Sequence, residues 1–198
     1  MKCWYVCVVL CTIYAQAVDV HFTSSTKLRN ELCRYIDREQ KSINAALYCF
    51  TDVHVARSLV RAHKRGVSIT LLVCKTALEG EWTKVPDIAT YDIPVLVYYG
   101  DGIMHHKFFI FGSNDRHKSC VWTGSYNPTH AATSKNCENV IIEDDIKVVH
   151  AYEREFKRLC RHKNTKQYRQ KVVQASRIDT SFVIPREIEG RLLMRPAA

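Results

Sequence analysis

The sequence lacks several features that would place it in a common class. Its N-terminal apolar run, residues 3–14, has only about half of the roughly 20 residues that a membrane-spanning helix needs. There is no internal repeat and no low-complexity tract, which argues against a solenoid or a biased, unfolded polymer. The Cys-x-x-Cys and His-x3-His spacings of common zinc sites are missing, as is the Gly-x-Ser-x-Gly element of many serine hydrolases.

What is present fits one globular domain with extensions. The chain has 198 residues, of which 46% are apolar, enough to bury an ordinary core. The 29 Lys and Arg residues exceed the 20 Asp and Glu residues and give a formal net charge of +9. This charge favours polyanionic partners such as nucleic acid or acidic lipid headgroups, although basic charge also serves solubility alone.

The N-terminus has the pattern of a secretory signal peptide. Lys2 precedes the apolar run, and Ala15-Gln16-Ala17 has the small-x-small form of a signal-peptidase site. We therefore predict that residues 1–17 are removed and that the mature protein is secreted or resides in a secretory lumen or a periplasm. The alternative is an uncleaved segment that tethers the chain to an organelle, such as the mitochondrial outer membrane.

Removal of the signal peptide would leave an even number of cysteines, which an oxidising compartment could pair. Cys49 and Cys74 end apolar runs, where an unpaired buried thiol behaves as a small hydrophobe, so we expect at most some of the six to be bridged. The six are Cys33, Cys49, Cys74, Cys120, Cys137 and Cys160.

The first half of the chain alternates strand and helix patterns. Residues 18–22 alternate like a strand, and Ser and Thr at 24–26 offer caps for a helix with a Leu28, Leu32 and Ile36 stripe. Residues 45–50 and 67–73 read as buried strands, separated by a helix that Asp52 caps and Gly66 ends. This rhythm predicts an α/β fold with a mixed, mainly parallel central sheet flanked by helices.

The second half is rich in strands and closes with a helix. Apolar runs at 93–99, 104–111, 120–126 and 138–143 are joined by short connections. A final helix is predicted to begin near Asp145, and we place the domain at residues 18–162. Residues 163–198 lose this periodicity and are predicted to form a basic tail, partly disordered, that is either a solvated extension or a docking arm for polyanions.

The residues most suggestive of chemistry lie between 105 and 139. Strand alternation sends His105 and Lys107 to one face and His106 to the other, where a structural role is expected. Farther on, Ser125 and Asn127 share a face near a strand end. A third strand opens with Glu138, a carboxylate able to hold a histidine in one tautomer.

In this order these residues resemble the signature of the phospholipase D superfamily. That signature is His-x-Lys, four residues, Asp, then Gly-Ser-x-Asn, then Glu-Asn. The sequence is most similar to the small single-motif members, the bacterial periplasmic endonucleases and the mitochondrial cardiolipin hydrolase or piRNA-pathway nuclease. The resemblance covers residues 18–160.

One position departs from the signature. Gly112 stands where the family has Asp, and Asp115 lies three residues farther on in a longer loop. The family Asp supports the site more than it transfers protons, so the change bears on rate and stability more than on the type of reaction. A catalytically impaired polyanion-binding homologue is therefore an alternative to an active enzyme.

The resemblance implies a metal-independent phosphodiesterase without a cofactor. His105 would attack phosphorus to form a phosphohistidine, while His105 of a second subunit would protonate the leaving oxygen and later activate water. The chain has no second His-x-Lys, so the resemblance implies a homodimer. Lys107, Ser125 and Asn127 would bind the phosphate oxygens, and Glu138 would orient His105.

Two substrates fit this chemistry. The charge and the similarity to small nucleases favour an endonuclease acting on single-stranded DNA or RNA. A hydrolase of anionic phospholipid such as cardiolipin is the alternative. Zinc binding by His117, His130, Cys120 and Cys137 is disfavoured because their spacing matches no common zinc site.

Overall fold

The computed structural model describes residues 18–114 and 118–169. The predicted signal peptide, the Asp115 position, His117 and residues 170–198 of the predicted tail lie outside the described residues. No helix within the described residues combines the length and the apolar character needed to cross a bilayer.

The described residues contain eight strands, five α-helices and one short 3-10 turn, Lys75–Leu78. In chain order the elements are β1 (Val18–Phe22), α1 (Leu28–Arg38), β2 (Ser42–Leu47), α2 (Val53–Lys64), β3 (Ser68–Cys74), α3 (Val85–Ala89), β4 (Val95–Tyr98), β5 (Lys107–Phe111), β6 (Cys120–Gly124), α4 (His130–Ser134), β7 (Asn139–Glu143), α5 (Ile146–Cys160) and β8 (Thr165–Gln167).

One mixed sheet contains all eight strands, in the order β1-β7-β6-β5-β2-β3-β4-β8. The α/β prediction is confirmed, but the expectation of a mainly parallel sheet is wrong. Only β2–β3 and β3–β4 pair in parallel among the described strands, and the other five pairings are antiparallel. The strand-helix-strand rhythm that produces parallel pairing stops at β4, and short connections then favour antiparallel neighbours.

Helices cover both faces of the sheet, so its central strands are buried on both sides. In β5, Phe109 and Phe111 face the core shared with α1 and α2, whereas Phe108 and Ile110 face the core shared with α5. This double burial explains why the strand sequence Lys-Phe-Phe-Ile-Phe is nearly continuous in apolar residues rather than alternating.

Several local predictions are refined by the structure. Asp52 caps α2, as predicted, by accepting from the backbone N–H groups of His54 and Val55, and Gly66 follows that helix with a φ of 90°. Residues 24–26 do not cap α1, because its N-cap is Lys27 without a side-chain hydrogen bond.

The sheet also extends beyond the predicted domain boundary at His162. β8 pairs with β4, and the backbone N–H of Tyr168 donates to the carbonyl of Val95 at 2.8 Å. The predicted loss of regular structure after residue 162 is therefore wrong for this strand. No disulfide joins any two of the six cysteines in the described residues.

Candidate active site

Four segments of the chain meet at one edge of the sheet. β2 and β6 end at this edge, while β5 and β7 begin there, because β5 is antiparallel to both β2 and β6 and β7 is antiparallel to β6. The three sequence elements predicted to carry the chemistry flank these strand ends. Antiparallel pairing thus gathers residues that are 33 positions apart, from His105 to Glu138.

His105 and Lys107 are in direct contact at the start of β5. The Lys107 ammonium lies 3.2 Å from Nδ1 and 3.4 Å from Nε2 of the imidazole, and it donates to the carbonyl of His105 at 2.8 Å. A cation donates to a ring nitrogen only when that nitrogen carries a lone pair. The contact therefore suits a neutral imidazole, the form required of a nucleophile. His105 itself precedes the strand, which begins at Lys107 rather than at the predicted residue 104.

Tyr48 at the end of β2 completes this corner. Its ring centroid lies 4.5 Å from that of His105, and the Lys107 ammonium lies 5.3 Å from the same tyrosine ring. The aromatic ring thus holds the imidazole and attracts the cation. The sequence predicts a buried strand at residues 45–50 and gives Tyr48 no functional role, although a polar-tipped aromatic residue at the end of an apolar run is a signal for one.

The Asn127 side chain is joined to the same corner through the backbone that follows Tyr48. Its Oδ1 accepts from the backbone N–H of Cys49 at 3.3 Å. This bond uses the carbonyl end of the amide, so the NH2 end is the donor that remains for an oxyanion. The Cys49 thiol is near enough to Lys107 for each to influence the pKa of the other.

Ser125 and Glu138 form a second polar cluster across β6 and β7. The Ser125 hydroxyl donates to the Glu138 carboxylate and accepts from the backbone N–H of Asn139 at 3.0 Å. The Asn139 side chain in turn accepts from the backbone N–H of Ser125 at 3.1 Å. The Ser and Glu-Asn elements therefore fix one another.

The Lys107 ammonium is the group whose electrostatics bear most directly on phosphate binding. Burial lowers the pKa of Lys107 below its ordinary value of 10.5, and the negative charges of the Cys49 thiolate and the Glu138 carboxylate partly offset this effect. Glu138 is thus close enough to Lys107 to stabilise its cationic form, which links the two polar clusters electrostatically.

The carboxylate of Glu138 does not contact His105 in the single chain. Among the described residues it bonds to Ser125 and to the Asn136 amide, the latter at 3.0 Å. The orienting role predicted for Glu138 stays a prediction. The Nε2 atom of His106 lies 3.3 Å from the Glu155 carboxylate on α5.

Near Gly112, the position that departs from the signature, a carboxylate from another part of the chain anchors the backbone. The carboxylate of Glu39, which is 1% exposed, accepts from the backbone N–H of Ser113 at 2.8 Å. It also accepts from the backbone N–H groups of Lys41 and Ser42 and from the Asn114 amide. A carboxylate from the end of α1 therefore anchors the chain directly after β5.

No group of three or more His, Cys, Asp or Glu residues in the described part of the chain is arranged to hold a metal ion. Of the zinc ligands considered from the sequence, His130 lies on α4 and its ring contacts the Ser134 hydroxyl, while Cys120 is buried in β6 and Cys137 is exposed.

Comparison with known proteins assigns this chain to a family. A family model described as "Cardiolipin synthase, PLD-like domain" matches residues 32–160. The chain is a member of the phospholipase D superfamily. It therefore belongs to a superfamily of phosphodiesterases, and the resemblance stated from His105, Lys107, Ser125, Asn127 and Glu138 is confirmed at the level of the family.

Curated relatives of this phospholipase D-like chain differ in their names. It is 33% identical to a phospholipase D from Rickettsia felis over 135 residues, which are 68% of this chain and 65% of the relative. It is 31% identical to a mitochondrial cardiolipin hydrolase from Xenopus tropicalis over 122 residues, 62% of this chain and 56% of the relative. The chain thus matches less than two thirds of the length of either relative.

Solved structures show the same fold. The phospholipase D family member Nuc from Salmonella typhimurium superposes with a TM-score of 0.69 at 26% identity, covering 78% of this chain and 99% of Nuc. NucT from Helicobacter pylori gives a TM-score of 0.64 at 18% identity, over 73% of this chain and 95% of NucT. The second likeness concerns the fold alone.

Proposed function

We propose that this phospholipase D-like chain is a metal-independent endonuclease that cleaves single-stranded nucleic acid through a phosphohistidine in a homodimer. The observation that carries the proposal is the direct contact of the Lys107 ammonium with the His105 ring, beside the Asn127 amide. A neutral imidazole next to a cation and an amide donor is suited to attack a phosphodiester whose oxygens gain charge. The net charge of +9 favours a polyanionic substrate.

The reaction proceeds in two displacements. A ring nitrogen of His105 forms a bond to phosphorus as the bond to the leaving oxygen breaks, and the imidazolium of His105 of the partner subunit gives that oxygen a proton. Water then attacks phosphorus, its proton passes to the same partner imidazole, and the phosphorus–nitrogen bond breaks. Lys107 and Asn127 hold the non-bridging oxygens in both steps.

Hydrolysis of an anionic phospholipid is the second candidate. The names of relatives such as the Xenopus tropicalis mitochondrial cardiolipin hydrolase favour it, and the same phosphoryl chemistry would serve. A third outcome is binding of polyanions without turnover, which the replacement of the family Asp by Gly112 favours.

One assay separates these candidates. Purified protein in EDTA is incubated with single-stranded DNA, single-stranded RNA and cardiolipin vesicles, alongside His105→Ala and a matched His150→Ala control. His150 is exposed on α5 and is not one of the candidate site residues. Cleavage of nucleic acid by wild type and His150→Ala, but not by His105→Ala, supports the endonuclease. Turnover of lipid alone supports the phospholipase. Binding without turnover supports the impaired homologue.

A further inference from the structure

A pocket of about 400 Å³ adjoins the candidate active site on the side of Ser125 and Glu138. Its volume falls within the range of about 300–1,000 Å³ that is typical of small-molecule sites. Both residues belong to the polar cluster described above, so the pocket continues directly from the site. The remaining walls come from the end of β1 and the residues that follow it, from α4, from the loop between α4 and β7, and from the first residue of β7.

Phe22 forms the apolar wall of this pocket and is 50% exposed. Its position relative to the active site is set by the sheet, because Phe22 pairs with Asn139 and the backbone N–H of Thr23 donates to the carbonyl of Glu138 at 3.0 Å. Two further N–H groups, of Ser25 and Thr26, donate to the carbonyl of Phe22. The backbone that carries this exposed aromatic ring is thus fixed beside β7.

The other walls are polar and carry one cation. The hydroxyl of Thr23 is used internally, since it donates to the carbonyl of Asn136 and accepts from the backbone N–H of Glu138. By contrast, the Lys135 ammonium is exposed and has no carboxylate partner among the described residues, and the exposed Ser24 hydroxyl has no partner there either. The pocket therefore offers a ring face, a hydroxyl and a cation to a ligand.

We propose that this pocket binds the nucleotide next to the scissile phosphate, with its base stacked on Phe22 and its far phosphate near Lys135. The inference rests on the proposed endonuclease activity and names a subsite for it. A nucleotide combines the three groups that the pocket complements: a flat ring, a hydroxylated sugar and an anion. An acyl chain would leave the Ser, Thr and Asn walls desolvated without partners, which disfavours a lipid tail there.

The test compares an oligonucleotide with a small phosphodiester that lacks a nucleobase, a sugar and a second phosphate. Wild type, Phe22→Ala, Phe22→Trp and Val20→Ala are assayed on a short single-stranded oligonucleotide and on bis(p-nitrophenyl) phosphate. Val20 is a suitable control because it is an exposed apolar residue of β1 that does not line the pocket. Loss of stacking in Phe22→Ala should raise KM for the oligonucleotide about tenfold relative to the small substrate. Phe22→Trp and Val20→Ala should resemble wild type.

A second variant tests whether the Lys135 ammonium contributes to oligonucleotide binding. Lys135→Gln should weaken oligonucleotide binding and reduce the salt dependence of the affinity by about one phosphate contact. The measurement is fluorescence anisotropy of a labelled oligonucleotide at several salt concentrations, for which turnover is not needed.

The outcomes distinguish this inference from the proposed function. If wild type hydrolyses bis(p-nitrophenyl) phosphate but Phe22→Ala changes neither substrate, or both equally, the subsite is overturned and the phosphodiesterase stands. Loss of cardiolipin turnover in Phe22→Ala with unchanged oligonucleotide cleavage would also overturn it. If wild type hydrolyses nothing, the proposed function fails, and equal oligonucleotide affinity of wild type and Phe22→Ala by anisotropy would overturn the subsite as well.

Discussion

The Nζ atom of Lys107 lies 3.2 Å from the Nδ1 atom of His105, so the two side chains are in direct contact. The contact places a nucleophile and a cation side by side, where the imidazole can attack phosphorus while the ammonium binds a non-bridging oxygen. The ring of Tyr48 contacts both side chains and stabilises this arrangement.

The rate should fall at alkaline pH as Lys107 loses its proton. Burial lowers the pKa of Lys107, so the basic limb of the profile of kcat/KM against pH should lie below 10.5, the ordinary value for lysine. Glu138 raises the pKa of Lys107 through its negative charge, so Glu138→Gln should move this limb to still lower pH. A limb that stays in place or moves upward in Glu138→Gln would show that the two groups are not coupled.

Tyr48 is expected to act as a positioning residue through its ring. Tyr48→Leu removes the cation–π contact with Lys107 and the packing against His105, and kcat should fall about tenfold. Tyr48→Phe keeps the ring and should retain the wild-type kcat. The basic limb of the pH profile should also shift in Tyr48→Leu but not in Tyr48→Phe, a result that general destabilisation would not produce.

Glu39 should contribute to the free energy of unfolding, although it is not one of the candidate catalytic residues. Glu39→Gln replaces a carboxylate that accepts several N–H groups with an amide that turns its own donors toward them. We expect the free energy of unfolding in urea to drop by about 2 kcal/mol. Glu79→Gln, at an exposed position, is the matched control, and equal stability of the two variants would argue against the role of Glu39.

Introducing the family residue at position 112 should not improve the protein. A Cβ atom at position 112 would crowd the Ser42 hydroxyl, and the backbone N–H of Gly112 already donates to the carbonyl of Ser42 at 2.9 Å. Gly112→Asp should therefore lower the midpoint of thermal unfolding without raising kcat, and Ser42→Ala should restore part of the loss in the double variant. A higher kcat in Gly112→Asp would instead show that the missing carboxylate limits catalysis.

Pairing of subunits can be examined by mixing. If each site uses His105 of both subunits, coexpression of differently tagged wild-type and His105→Ala chains yields mixed dimers that are inactive. Total activity should then follow the square of the wild-type fraction. A linear dependence, or an active enzyme that is monomeric by light scattering, would contradict a shared site.

The sequence predicts much of this fold because its strands and helices have distinct apolar periods. The Asp52 cap, the Gly66 helix end and the start of α5 near Asp145 all follow from local chemistry that tertiary packing did not override. Strand direction was harder to predict, since a run such as Phe108 to Phe111 is buried on both faces whether its neighbours are parallel or antiparallel.

For the candidate site, the sequence motifs predict residues in and next to β5, β6 and β7 but not those contributed from elsewhere. His105 and Lys107 are two residues apart, so alternation alone predicts that they share a face. Tyr48 and Phe22 reach the site only through pairing of β2 with β5 and of β1 with β7, long-range contacts that no local pattern encodes.

The most direct test of the central claim is to identify the residue that becomes phosphorylated during turnover. Wild type is mixed with a nucleic acid substrate in EDTA, quenched within the first turnover and digested for mass spectrometry under conditions that preserve phosphoramidates. We predict a nucleotidyl or phosphoryl adduct on His105, absent in His105→Ala. Substrate cleavage with the adduct on another residue, or undiminished cleavage by His105→Ala, would contradict the account.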